Sequence, residues 1–184
     1  MQRLSKQARR AQLLEAAASA FVAGGFDGTS MEAVADRAGV TRLIVYRHFD
    51  SKHALYESVL WSVVSPLRDG FTPAMPGGVG PLLMGVARQH PDAFRLLWRH
   101  ARHEPAFAKT AETFRQVAAQ FADEVISAHV SDADIRRWGA ATIVDYLYGG
   151  ICEWLDSGDP DRDDEFSVTL QAGARALIEA WSTA

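Results

Sequence analysis

Between Gly39 and Lys52 the chain reads Gly-Val-Thr-Arg-Leu-Ile-Val-Tyr-Arg-His-Phe-Asp-Ser-Lys. On a helix from about Arg42 to His48, Val45 and Phe49 fall on one inward face. That leaves Arg42, Leu43, Ile44, Tyr46, Arg47 and His48 for other surfaces. Two large aliphatics and a tyrosine are odd on a merely solvated face. They suit a helix lying in the major groove of a duplex, where arginine reads guanine edges and an aliphatic group touches a thymine methyl. Around this segment Thr29, Thr41 and Ser51 have the chemistry of helix N-caps. Helix N-termini with free N–H groups and a positive dipole end are anion sites, and the anion here would be a nucleic-acid phosphate. Lys52 adds a positive charge beside the third cap. Arg3, Lys6, Arg9 and Arg10 are placed to follow a phosphate backbone or reach a minor groove, with plain solvation as the alternative for each.

Other chemistry is thin. His100 and His103 stand three apart beside Glu104. Such a trio can seed a metal site or serve acid–base catalysis, but on a charged helix end it is more often only solvated. No nucleophile is paired with a base, and there is no phosphate-binding glycine loop and no HExxH. The lone Cys152 excludes an intrachain disulfide and a cysteine-built zinc site, and reads as a small buried hydrophobe. No cofactor, no metal and no enzymatic activity are expected.

The elements that must position residues 41–52 are helical. Alanine, the best helix former, occurs 30 times in 184 residues, and the alternating β-branched runs of strands are missing. The expected fold class is all-α, with about nine helices. Helix one spans about Lys6 to Ala23, burying Leu13, Ala16, Ala17, Ala20 and Phe21 and stopping at Gly24-Gly25. Helix two starts at Thr29 or Ser30 and buries Met31, Val34, Ala35 and Ala38; Gly39 turns the chain into helix three. Helix four starts at Ser51 and is expected to end near Ser65, because Pro66, Pro73, Pro76 and Pro81 with four glycines make 66–81 a loop. In the body, Pro81–Gln89, Pro91–Arg102 and Pro105–His129 read as helices with proline in their first turns. A long helix capped by Ser131 runs to about Asp156, and a last one from about Asp163 to Trp181.

Residues 1–60 hold 8 Lys or Arg against 6 Asp or Glu, a net of +2; the remaining 124 hold 11 against 17, a net of −6. A basic end on an acidic body points to one end meeting a polyanion. No membrane span and no secretory leader are legible, so the expected location is cytoplasmic.

Two short helices joined by a glycine turn are the helix-turn-helix signature. The stretch Phe26-Asp27-Gly28-Thr29-Ser30-Met31, Val34-Ala35, Ala38-Gly39-Val40-Thr41-Arg42, Val45-Tyr46-Arg47-His48-Phe49, Ser51-Lys52 and Ala54-Leu55 resembles the DNA-binding domain of TetR/AcrR-type transcriptional regulators. The likeness covers about residues 8–60. It implies a helix-turn-helix domain over 1–60, with its motif at about 30–49, and an effector-binding and dimerisation body over 61–184. It further implies a homodimer of Ω-like shape, joined through a four-helix bundle of the last two helices and gripping a palindromic duplex operator. Thr29, Tyr46, His48 and Lys52 would hold phosphates, and Arg42, Leu43 and Ile44 would face bases. Leu43 departs from the pattern, which has a small residue or proline there. Helix four, cut at Pro66, implies an unusual hinge.

The body's aromatics read either as core or as the lining of a ligand cavity. Phe94, Leu97, Trp98, Phe114, Val117, Phe121, Trp138 and Tyr146, on the helices such regulators use, are the cavity candidates. Asp145 stands ready for a polar ligand atom, the dimer seam or solvent. Gly139, Gly149, Gly150 and Gly173 lie inside the two last helices, where close approach at a dimer seam would explain them. The resulting expectation is a sequence-specific transcriptional regulator, a repressor released from DNA by a small-molecule effector. The alternatives are a DNA-binding dimer with no effector and, behind it, a small all-α enzyme.

Overall fold

The computed structural model describes residues 4–72 and 78–182; the loop expected over 66–81 falls partly outside them, as does Arg3. Among the described residues there are nine α-helices and no strands, and none of the helices is long and apolar enough to cross a membrane. α1 (Lys6–Gly28) begins at Ser5, whose hydroxyl accepts the Ala8 N–H, and buries Leu13, Ala16, Ala17, Ala20 and Phe21. It breaks at Gly25, whose φ of 69° and ψ of 177° belong to a region nearly exclusive to glycine. Phe26 then folds back onto Phe21 and Tyr56. α2 (Met31–Arg37) is capped by Ser30, whose hydroxyl accepts the Ala33 N–H. Gly39, at φ 63°, turns the chain into α3 (Arg42–Tyr46), a helix of five residues anchored by the fully buried Val45.

α4 (Lys52–Gly70) starts at Ser51 and does not stop at Pro66. A proline inside a helix costs ~3 kcal/mol. Beyond Leu60, α4 buries Val63 and Leu67, and each such side chain returns about 1.5–3 kcal/mol. Packing therefore carries the helix through the proline, and the expected early cut and unusual hinge do not occur.

The body comprises α5 (Gly80–Gln89), α6 (Pro91–Arg95), α7 (Ala108–Ile126), α8 (Ala133–Ser157) and α9 (Asp163–Ser182). α6 passes into a π-helical turn at Leu96–His100 and a 3₁₀ turn at Ala101–His103. α7 starts three residues later than Pro105 suggested. The residue before a proline avoids helical geometry, and Glu104 is extended at φ −91°, ψ 111°. α8 is capped by Asp132, not Ser131; its carboxylate accepts the N–H groups of Asp134 and Ile135. The helical glycines serve packing within the chain. A Cβ at Gly139 would meet Trp181, one at Gly150 would meet Leu170, and one at Gly173 would meet Tyr146. This is approach of α8 to α9 within the chain, in place of the expected seam between subunits for these three; the fourth, Gly149, has nothing within 4 Å of a built Cβ. Arg88 of α5 fixes the start of α9 by bonding both oxygens of Asp163 at 2.6 and 2.8 Å.

Gly25→Ala is expected to lower stability by about 1–3 kcal/mol through backbone strain, while Gly28→Ala, with open space at its Cβ, stays near wild type. Urea midpoints of the two variants check this.

Candidate nucleic-acid interface and the cavity behind it

α3 divides as its sequence suggested. Val45 and Phe49 are buried, while Leu43 is 62% exposed and Arg42 and Arg47 stand in solvent. Ile44 differs from expectation: it is half-buried and packs on the core, so its reach toward a base is short. Arg42 is pre-positioned by its neighbours. Its guanidinium donates to the Tyr46 hydroxyl at 3.3 Å and lies 5.2 Å from the centre of that ring, with Glu32 at 4.0 Å. Arg42, Tyr46 and Lys52 line a shallow cleft with residues 27–32, against the N-terminus of α2. The Ser30 and Ser51 caps each take one N–H, leaving the first N–H groups of α2 and α4 unpaired within their helices. Thr41 makes no cap bond with its side chain and stands exposed.

Two of the expected phosphate ligands are engaged inside the fold. Thr29 is 4% exposed, and its hydroxyl lies 2.8 Å from the Gly25 carbonyl and 3.1 Å from that of Ala20. Its side chain closes the end of α1 and is not on the surface. Lys52 donates to the Phe26 carbonyl at 2.7 Å, with its ammonium 4.3 Å from the centre of the Phe26 ring. Arg10 belongs to α1 and not to a free tail: it covers the Phe49 ring at 4.4 Å and donates to Ser58. His48 is half-buried. Desolvation first, then the nearby Lys6, Arg10 and Arg9, holds its pKa below the ordinary histidine value. At neutral pH it presents an uncharged ring.

Behind this surface a corner ties the helix-turn-helix unit to the body. The Phe26 N–H donates to Glu104 at 2.8 Å, so Glu104, read in the sequence beside His100 and His103, has a capping partner 78 residues away. Phe107, fully buried, packs on Phe26, His53 and Tyr56, its ring 4.0 Å from that of Tyr56 and nearly parallel to it. The Tyr56 hydroxyl is buried with no hydrogen-bond partner among the described residues. Burial, and then the Glu104 carboxylate, push its pKa up. Sequence reading missed Glu104 and Phe107; the Glu-Pro pair that breaks the helix was the available signal.

The body holds a cavity of about 580 Å³ between α4, α7, α8 and α9. Phe114, Val117 and Phe121 line it as expected. Phe94, Leu97 and Trp98 do not: they are buried beside it, Phe94 and Trp98 stacking on Tyr148, which does line it. Trp138 is 58% exposed and packs on Trp181, and Tyr146 packs toward Gly173; neither reaches the cavity. Asp145 pairs with Arg115, whose guanidinium covers the Trp98 ring at 3.8 Å. The missed wall is α4, with Leu60, Trp61 and Val64. Trp61, a large apolar residue off the buried stripe of its helix, was the legible sign. Cys152 is fully buried, its thiol pushed up to about 11 by burial.

Residues 13–59 match the family described as bacterial regulatory proteins, tetR family. The transcriptional activator FasR of Mycolicibacterium smegmatis is 44% identical over 73 residues, covering 40% of this chain and 33% of that protein. The transcriptional repressor KstR2 of Rhodococcus jostii is 38% identical over 55 residues, covering 30% of this chain and 27% of that protein. The chain thus spans between about a quarter and a half of the length of the curated relatives it matches. A TetR-like transcriptional regulator from Rhodococcus sp. RHA1 superposes with a TM-score of 0.74 at 21% identity, over 95% of this chain and 98% of that one. At that identity the likeness is one of fold.

His48, His90 and His100 all have pKa values lowered first by desolvation. The unfolded chain therefore binds protons at a higher pH than the folded one. Their contribution to stability is complete above about pH 6.5 and is lost as pH falls below it. Urea midpoints should drop from pH 7.5 to pH 5, and His90→Asn should shallow that drop.

Proposed function

We propose that the chain, whose residues 13–59 match the tetR family of bacterial regulatory proteins, binds a palindromic operator as a homodimer and represses transcription until a small-molecule effector occupies its cavity. One observation carries the DNA-binding part. A leucine 62% exposed on a five-residue helix, between solvent-facing Arg42 and Arg47 and over a buried Val45, leaves that face without a partner in the chain. A groove would supply both the phosphates and the thymine methyls that such a face accommodates. Arg42 and Leu43 would address bases; Tyr46, Arg47, His48 and the first N–H groups of α2 and α4 would address phosphates. Lys52 would act from beside the Phe26 carbonyl, positioning the corner as much as touching the duplex. Thr29 would serve through the backbone it orders.

Exposed Trp138 and Val168 on α8 and α9 support dimerisation through those helices, with two recognition helices about one turn of duplex apart. The protein would act where DNA is, in the cytoplasm. The sign of regulation follows the notion of release by an effector; FasR is named an activator and KstR2 a repressor, so the family accommodates either sign. The reading without an effector predicts a body filled by side chains, and the open cavity favours the effector.

Coupling would run through the corner. α4 and α7 both line the cavity, and the start of α4 and the turn before α7 meet at Phe26. A ligand that separates α4 from α7 would bind one arrangement of that corner better than another, and only such a difference can shift the equilibrium.

Selection of bound duplexes from a random pool, followed by salt titration, tests the proposal. Arg47→Ala, which removes a side chain with no hydrogen-bond or ion-pair partner among the described residues, takes one phosphate contact from each protomer and should flatten the log–log salt slope of the dimer by about 1.8. Leu43→Ala should change base preference and leave the slope alone. Failure to bind any duplex at low salt overturns the function. Glu104→Ala, by leaving the part-buried Phe26 N–H without its acceptor, should cost about 1 kcal/mol of stability. It should weaken DNA binding at an unchanged salt slope, since no phosphate contact is removed.

A further inference from the structure

We propose that the cavity takes an elongated organic anion, a carboxylate on an extended apolar body, with its head met by Lys109 and Arg175. The proposal rests on the effector reading above and names the ligand's chemical class.

Charge carries the first step. The chain has more acids than bases, 23 to 19, yet among the described residues the cavity wall contains three cations and no carboxylate. Nor are these cations typical of the body. From residue 61 onward, eight of the eleven Lys and Arg residues have an acidic partner within 4.0 Å. The three without one among the described residues are Arg102, Lys109 and Arg175, and two of these line the cavity. Arg68, the third wall cation, bonds only its exposed neighbour Asp69.

Shape carries the second. The residues of α7 that line the cavity run from Lys109 to Ile126, a rise of about 25 Å. Beyond Lys109, Thr110 and Thr113 this wall is apolar, with Phe114, Val117 and Phe121. Lys109 and Arg175 are exposed, so they remain hydrated when the cavity is empty and would hold an anionic head without burying it. An apolar body would then extend along α7.

The third step is Tyr148. It is 7% exposed, it lines the cavity, and its hydroxyl has no hydrogen-bond partner among the described residues. The hydroxyl opens to the cavity instead of being sealed in the core, and among the apolar α8 residues Ile143, Val144 and Leu147 that share the lining it is the polar group a ligand oxygen would meet.

Calorimetric titration of the full chain with decanoate, decan-1-ol and decyltrimethylammonium, each below its aggregation concentration, tests the class. Decanoate should bind about tenfold more tightly than the alcohol, the ordinary scale of a charge-assisted contact. The double variant Lys109→Gln/Arg175→Gln should lose that advantage and keep the alcohol's affinity; both side chains are exposed, so folding is expected to be unaffected and circular dichroism checks it. Equal or tighter binding of the alcohol or the cation, no binding of any of the three, or an undiminished advantage in the double variant overturns the proposal. Fluorescence anisotropy of a selected duplex with and without decanoate separates the two readings. Tight decanoate binding that leaves DNA affinity unchanged retains the ligand class and defeats the effector role.

Discussion

Both polar groups of one peptide residue, Phe26, are taken by side chains from distant parts of the chain. At Gly25 the backbone of α1 kinks, and the Phe26 carbonyl keeps only a long bond, 3.4 Å, from the Thr29 N–H. Glu104 receives the N–H, Lys52 supplies a donor to the carbonyl, and the ring lies among Phe21, Tyr56 and Phe107. The charges of Glu104 and Lys52 make these bonds stronger than neutral ones. The end of α1, the start of α4 and the turn before α7 are thus fixed relative to one another at a single point. The recognition helix depends on that point, because five helical residues do not persist alone. α3 is held by Val45 against α1 and α2, which the corner in turn fastens to α4 and the body.

The same corner explains how a cavity in the body can matter to a surface elsewhere. α4 and α7 both line the cavity, and the start of α4 and the turn before α7 converge on Phe26. On the other side, Tyr148 of the wall stacks on Trp98 in the π-helical turn, which leads through the 3₁₀ turn directly to Glu104. π-helical turns are frequent at functional sites. The Tyr56 hydroxyl, buried with no hydrogen-bond partner among the described residues, belongs to the ring that stacks on Phe107 at this junction.

What the sequence displayed well was local. Glycine turns at Gly25 and Gly39, serine caps at Ser30 and Ser51, and the inward pair Val45 and Phe49 depend on neighbours a few residues away, so their pattern survives in one dimension. What it hid was long-range. Pro66 reads as a stop until Val63 and Leu67 are seen packed, and Pro105 reads as a start until Glu104 is seen extended. Thr29 and Lys52 carry the right chemistry for phosphate, yet the partners they find are carbonyls of α1. The cavity was misread for the same reason. Aromatic spacing on α6 and α8 cannot tell a wall from a core, so Phe94, Trp98, Trp138 and Tyr146 were taken in while Trp61 and Leu60 on α4 were left out.

The uneven charge of the chain acquires its meaning from pairing. In the body the arginines are largely neutralised by carboxylates, several through two oxygens or two partners, as with Arg88, Arg95 and Arg99. In the N-terminal unit the cations bond neutral groups instead: Arg9 to Gln12, Arg10 to Ser58, Arg37 to Ser19 and Lys52 to a carbonyl. Hydrogen bonds of this kind fix a cation in place without cancelling its field. Among the described Lys and Arg residues of that unit Arg42 alone has an acidic neighbour within 4.0 Å, Glu32, and between exposed groups that attraction is weak. The cations of that unit are therefore held in place without ion-pair partners, free to pair with an incoming anion. Positioned but uncompensated positive charge is what a polyanion needs to meet, and the same distinction singles out Lys109 and Arg175 within an otherwise neutralised body.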